Sequence, residues 1–152
     1  ANVRFPLVET TSRVFFKVWE MACFGGFLMG REAAKVMVPR KRGTIIFTGA
    51  TASVRGSSGF SAFSAGKHAL RAVAQSMARE LGPEGIHVAH VIIDGAIDTA
   101  FIEEMFPERY KLKEQDGILH PDQIAENYWY LHNQHRSAWT HEMDLRPWIE
   151  KW

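Results

Sequence analysis

The sequence predicts an α/β fold: part of a doubly wound parallel sheet, with about three strands, in one domain over 1–152. Three observations lead there. Thr44-Ile45-Ile46-Phe47 is a β-branched run suited to a buried strand, and Ile86 to Ile93 is a second one. Between them lies an amphipathic stretch with Leu70, Val73, Ala74, Met77 and Leu81 at helical spacing, ended by Gly82-Pro83. Strand, helix, strand in that order makes a right-handed βαβ unit. The first strand also runs into a loop of Gly, Ser and Thr that feeds the helix. Open α/β sheets hold their ligands at that place.

Bulk composition narrows the class. The chain has 152 residues, 46% of them hydrophobic and 23% charged, as expected of a globular domain with a sizeable core. A net charge of +1 offers no basic field for nucleic acid or an anionic membrane surface. The single cysteine, Cys23, rules out an internal disulfide framework and fits a reducing compartment, so a cytoplasmic location is expected. The longest apolar run, near Met21 to Met29, is too short to span a bilayer, and the first residues lack the pattern of a signal peptide.

Taken in order, Thr10, Thr11 and Ser12 offer N-caps for a helix running to about Val38, where Pro39 stops it. Its apolar face is small in the middle, at Ala22, Gly25, Gly26 and Gly30. Glycine in a helix costs about 1 kcal/mol against alanine, so a close neighbour is expected. That neighbour is either a packed element or a ligand. After the second strand, Phe101 to Tyr110 and Lys111 to Asp116 read as one or two short helices of a mobile flap, over about 99–120. His120-Pro121-Asp122 opens another helix with Ile124, Tyr128 and Leu131 as core positions. Ala138 to Leu145 reads as a last strand, and the tail tryptophans Trp148 and Trp152 as residues docked on a surface or a partner subunit.

Four strings in this order resemble the short-chain dehydrogenase/reductase family. VWEMACFGGFLMGREA resembles its long helix before the catalytic strand, and RGTIIFTGATAS the strand and turn that present a serine. GFSAFSAGKHALRAVAQSMARELGPEGIHVAHVIIDGAIDT resembles the Tyr-x-x-x-Lys helix, the next strand and the Pro-Gly-x-x-x-Thr cofactor loop; HPDQIAENYWYL resembles the penultimate helix. The likeness is to the C-terminal part of a Rossmann-like domain. The N-terminal strands and the glycine-rich phosphate turn have no counterpart here, and Gly56-Ser57-Ser58-Gly59 is a poor stand-in. The chain is therefore expected to be a piece of a longer protein, since an open β-branched edge would invite aggregation.

In that family a tyrosine is the general acid or base, a lysine four residues on binds the nicotinamide ribose, a serine orients the carbonyl and an asparagine holds a relay water. The i, i+4 spacing puts tyrosine and lysine on one helix face. By position the lysine is Lys67, whereas the tyrosine, serine and asparagine positions hold Phe63, Ala50 and Ala22. The resemblance also implies cofactor contacts at Lys67, Gly95, Ile97 and Thr99, a nicotinamide-side half-site, with Asp94 in place of the family's proline. Ser53 and Thr51 could orient a carbonyl, but neither hydroxyl titrates near neutral pH. Ser61 and Ser64 point away from the face of position 63, and Tyr110 is the one tyrosine expected within reach. His87 and His90 fall on opposite strand faces; His132 and His135 can share a helix face but lack a third ligand, so no metal site is expected.

The resemblance implies an NAD(P)-dependent oxidoreductase, using NAD or NADP on a small carbonyl or alcohol through an atypical active site. The alternative is a catalytically inactive relative serving nucleotide binding, oligomer assembly or regulation. The small-residue helix and the Lys67 helix resemble the family's dimer-forming pair, which implies a homodimer or homotetramer.

Overall fold

Thr11, extended, accepts the Val14 amide on its side-chain oxygen at 3.2 Å and so starts the first helix. In this computed structural model, which describes residues 3–151, that helix has three parts. They are α1 (Ser12–Trp19), a π-helical turn (Glu20–Phe24) and α2 (Gly25–Met37). The sequence predicts one uninterrupted helix. A π turn takes in an extra residue, and one residue is about 100° of helix rotation, so it re-aims α2 relative to α1.

The re-aimed face explains the small residues. A Cβ on Gly26 would lie 2.5 Å from Leu70 Cδ1, and one on Gly30 2.8 Å from Phe47 Cζ and 2.9 Å from Met77 Cε. On the neighbouring helix a Cβ at Gly66 would come 2.9 Å from the Ala22 Cβ. Of the two neighbours the sequence leaves open, the packed element is present: α2 lies directly on a strand and a second helix.

Strands β1 (Gly43–Ala50), β2 (Ile86–Ile93) and β3 (Glu142–Leu145) form a parallel sheet in the order β1-β2-β3. Gly43 pairs with Ile86 and Ala50 with Ile93; His90 pairs with Glu142 and Ile93 with Leu145. The crossover from β1 to β2 is α3 (Ser61–Leu81). This is the open, parallel α/β arrangement expected from the sequence. Every residue of the central β2 is buried, but β1 alternates: Ile45, Phe47 and Gly49 are buried and Thr48 is exposed. The expectation of a first strand buried on both faces is thus corrected. Helices α2 and α3 cover one face of β1, while α6 (Pro121–Asn133) reaches the other through Tyr128, bonded to Thr48 Oγ1 at 2.8 Å, and His132, bonded to Thr44 Oγ1 at 3.0 Å.

Two apolar clusters follow from the strand alternation. Ile45, Phe47, Val88, Leu70 and Ala74 pack between the sheet and α3; Ala89, Val91, Ile93 and Leu131 pack between the sheet and α6, joined by Ile124 and Tyr128. A polar cluster completes the first layer where β3 joins it. Arg71 donates twice to Glu142, at 2.7 and 2.6 Å, and the wholly buried His90 meets the same carboxylate through Nδ1 at 3.0 Å. Arg71 above all, with help from His90, holds the Glu142 carboxyl below the usual range; burial pushes the His90 imidazole down.

After β2 come α4 (Ala100–Met105), α5 (Pro107–Tyr110) and a 3₁₀ turn (Lys111–Gln115). The segment is tied back by the Ile97–Leu119 bridge and the Lys113–Asp98 ion pair at 2.7 Å. The tail crosses it: Trp148 Nε1 donates to Gln115 O at 3.0 Å, and Arg109 pairs with Glu150 at 2.9 Å. Trp152 lies outside the described residues. The last strand is shorter than predicted because 136–138 forms a 3₁₀ turn and Gln134 clamps Thr140 through both ends of its amide. Among the described residues no helix is long and apolar enough to cross a membrane.

Two outcomes are expected. Gly30→Val drives two methyls into Phe47 and Met77 and should lower stability by about 1–3 kcal/mol in urea unfolding. Glu142 titrates below its unfolded value in the fold, so its contribution is complete above the ordinary glutamate range and is lost as pH falls through the folded value. The melting temperature should drop across that acid window, and Glu142→Gln, already less stable at neutral pH, should show a smaller drop.

Candidate active site

At the carboxyl ends of β1 and β2, small residues leave a cavity of about 1080 Å³. Ala22 comes to it from the π turn, Ala50 from the last position of β1, and Phe63 and Lys67 from successive turns of α3. Gly95 and Ile97 enter from the loop after β2. Six of the seven positions singled out from the sequence therefore share one wall system. Thr99 does not line it; its hydroxyl caps α4, accepting the Ile102 amide at 3.4 Å and donating to Ile97 O at 3.3 Å.

Lys67 Nζ donates to Thr48 O at 2.9 Å and stands 5.9 Å from the Phe63 ring centroid. The i, i+4 spacing that would bring an acid and an ammonium together here brings a ring and an ammonium instead. Burial pushes the Lys67 amine below the usual lysine range. Phe63 contributes no proton, and Ala22 and Ala50 contribute no polar side-chain atom.

The neighbouring hydroxyls divide. Ser53 is fully buried and its Oγ accepts the Ala50 amide at 3.0 Å, so it serves the turn and does not line the cavity. Thr51 lines the cavity and donates to Asp94. Ser64 also lines it, with a buried Oγ that has no partner among the described residues. Its residue borders the cavity while its Oγ is buried, so the hydroxyl does not face the cavity. Tyr110 is not in the wall; it is engaged with Lys113 and Asp98. Tyr128 bonds Thr48 on the α6 side, and Tyr130 is exposed.

Asp94 has a structural role the sequence reading gave it no part in. Only 2% exposed, it accepts from Thr51 and lies 3.7 Å from Arg55 and 3.8 Å from Arg146. Arg55 and Asp94 both line the cavity, which gives its upper wall a charged seam. Signals were present: an acid ending an otherwise apolar strand, and one arginine in a loop of small residues. Beyond it Gly95 has φ 149, where a side chain would be strained, and an added Cβ would meet Pro147 at 2.8 Å. Among the described residues no group of three His, Cys, Asp or Glu is placed to hold a metal ion.

A parallel sheet with a ligand-sized cavity at its carboxyl edge, an internal lysine on the crossover helix and a glycine loop after the next strand defines an open α/β domain with its cavity where such sheets hold ligands. The chain belongs to the short chain dehydrogenase family, whose sequence profile matches residues 2–109. A short-chain dehydrogenase from Rhodopseudomonas palustris is 52% identical; the likeness covers 97% of this chain and 58% of that one, with a TM-score of 0.78. A 4-hydroxyisoleucine dehydrogenase complexed with NADH is 25% identical over 98% of this chain and 66% of its own, also at 0.78. Momilactone A synthase of Oryza sativa subsp. japonica is 37% identical over 131 residues, 80% of this chain and 47% of that protein. The chain spans between 33% and 48% of the length of the first curated relatives it matches.

Replacing Asp94 by Asn removes the charge that Thr51, Arg55 and Arg146 meet, while Arg146 keeps its pair with Asp144. A loss of about 1–3 kcal/mol in denaturant unfolding is expected, with the folded state's circular dichroism unchanged.

Proposed function

We propose that the protein is an NAD- or NADP-dependent oxidoreductase acting on a small carbonyl or alcohol through an atypical active site. The observation that carries this reading is the convergence of Lys67, Gly95 and Ile97 on one cavity at the carboxyl edge of the sheet. The relative of 25% identity that is complexed with NADH supports the choice of cofactor class. The residues present fit the nicotinamide–ribose end of such a cofactor: an ammonium, a loop whose glycine brings backbone close, and apolar walls. They supply no glycine-rich turn for the pyrophosphate.

When bound, the cofactor supplies the hydride donor or acceptor. Lys67 would exchange its bond to Thr48 O for the ribose hydroxyls, and its charge would favour negative charge developing nearby. Ile102, Phe106 and the Phe63 ring keep water from the reacting carbon. Thr51 could orient a carbonyl oxygen only by giving up its hydrogen bond to Asp94, the Ser64 Oγ is buried, and neither hydroxyl is an acid of useful strength.

A second reading, a catalytically inactive relative serving nucleotide binding, assembly or regulation, is favoured by one specific observation. No tyrosine among the described residues lines the cavity, and Phe63, Ala50 and Ala22, where the resemblance would put a tyrosine, a serine and an asparagine, bring it no polar side-chain atom. Fluorescence titration of the intact protein with NADH and NADPH, followed by a carbonyl screen, separates the two. Under the first reading both binding and wild-type turnover are seen, and Lys67→Met weakens binding by at least about tenfold, or 1.4 kcal/mol. Binding without turnover, with activity gained by Phe63→Tyr, supports the second. Turnover indifferent to Lys67→Ala defeats this placement of the site.

For the assembly we propose a homodimer or homotetramer built through the outer face of α1, α2 and α3. Phe16, Trp19, Phe24 and Phe27 form a ladder with centroids 6.0, 6.3 and 6.1 Å apart, and Phe16, Phe24 and Phe27 are exposed. Sedimentation of the intact protein should show two or four copies; a monomer at micromolar concentration would refute the proposal. A cytoplasmic location and a small-molecule substrate, without nucleic acid, belong to the same reading.

A further inference from the structure

The opposite, amino-terminal edge of the sheet holds a second cavity, of about 780 Å³. It is walled by the turns that enter β1 and β2 and by the segment between α6 and β3. Arg40, Lys41, Arg42 and Arg136 line it, and no Asp or Glu does. The chain as a whole balances 18 Lys and Arg against 17 Asp and Glu, so four cations without a carboxylate in one cleft is a local excess. Lys41 is paired with Glu84 at 3.3 Å outside the cleft. Arg40 gives Nε to Val36 O at 3.0 Å, and the side chains of Arg42 and Arg136 form no ion pair among the described residues.

Three of the four histidines that the sequence set aside, His87, His132 and His135, line this cleft. His135 Nδ1 accepts the Ser137 amide at 3.3 Å, so its hydrogen sits on Nε2, available to donate. His87 is 3% exposed and stacked on Trp139 at 4.9 Å. Its Nε2 meets Thr140 O at 2.8 Å. A carbonyl only accepts, so that nitrogen carries the hydrogen and Nδ1 is left bare. Nδ1 is buried without a partner among the described residues. The wall is built rather than incidental: Gln134 fixes Thr140 through both ends of its side-chain amide, at 2.8 Å each, and accepts Trp139 Nε1 on its carbonyl at 3.3 Å.

We propose that this cleft is a binding site for a phosphate group, distinct from the cavity at the carboxyl edge. Arg42 and Arg136 supply the forked donors that match phosphate oxygens, Arg40 and Lys41 add charge at the rim, and His135 adds a ring N–H, while the buried His87 ring backs the wall. A carboxylate also meets the arginines, but a phosphate brings more charge and more acceptor oxygens to a cleft lined by four cations and no carboxylate, so phosphate is the better match.

The test is calorimetric titration of the intact protein at low salt and neutral pH with inorganic phosphate and, separately, a hexose phosphate. Binding of either is expected, weakened at least about tenfold in the Arg42→Gln/Arg136→Gln double variant and unchanged in Lys67→Met. Tighter binding of the ester assigns the site to an organic phosphate, and equal binding to the free ion; both uphold the proposal. The His87 ring ¹⁵N resonances should shift on addition of phosphate. No heat up to about 10 mM ligand, binding indifferent to the two arginines, or binding lost in Lys67→Met would each overturn it. Melting curves of the double variant exclude loss of the fold as the cause of weaker binding.

Discussion

The close approach of α2 to β1 and α3 governs the rest of the molecule. With only hydrogen atoms at Gly26 and Gly30, the helix backbone settles against Phe47, Leu70 and Met77. Helix–helix distances depend on the side chains at the contact, and glycine sets the lower end. The π turn ahead of α2 adjusts which residues take part. Because three elements meet there, Ala22, Ala50, Phe63 and Lys67, separated by many residues in the chain, surround one volume. A bulkier stripe would separate the helix from the sheet and open that volume.

The two sheet edges carry different chemistry for topological reasons. In parallel strands all carboxyl ends lie together, so the loops after β1 and β2 converge on the upper cavity. The turns entering the strands converge on the lower one. The upper wall is largely apolar, with the paired charges Asp94–Arg55 and Arg109–Glu150 and one ammonium on the crossover helix. The lower wall is cationic and hydrogen-bonded.

Much of the fold was legible. Strands at Ile45 and Val88, the long helix through Leu70 and Leu81, and the helix opened by Pro121 all follow from periodicity and caps, which act over one or two turns. The π turn did not show, because its residues, Glu20 to Phe24, are unremarkable helix formers and its cause is packing. The i, i+4 pair of Phe63 and Lys67 was legible from spacing, and Ala22 and Ala50 were singled out through the family resemblance. Ser64 in the wall, Tyr110 outside it and the engagement of Asp94 were not. Each depends on how far a wall curves or which distant arginine arrives, and Arg146 is far from Asp94 in the chain.

By itself the sequence determined the order of elements, the parallel βαβ unit and which group stands at each position it singled out, since those rest on local patterns. It also decided that position 63 cannot deliver a proton, because phenylalanine has none to give. Only the tertiary structure decided which of these residues share a cavity, which hydroxyls are already spent on the backbone, and that a second, cationic cleft faces the other way. Those are matters of distance between segments remote in the chain, and hydrophobic periodicity carries no information about them.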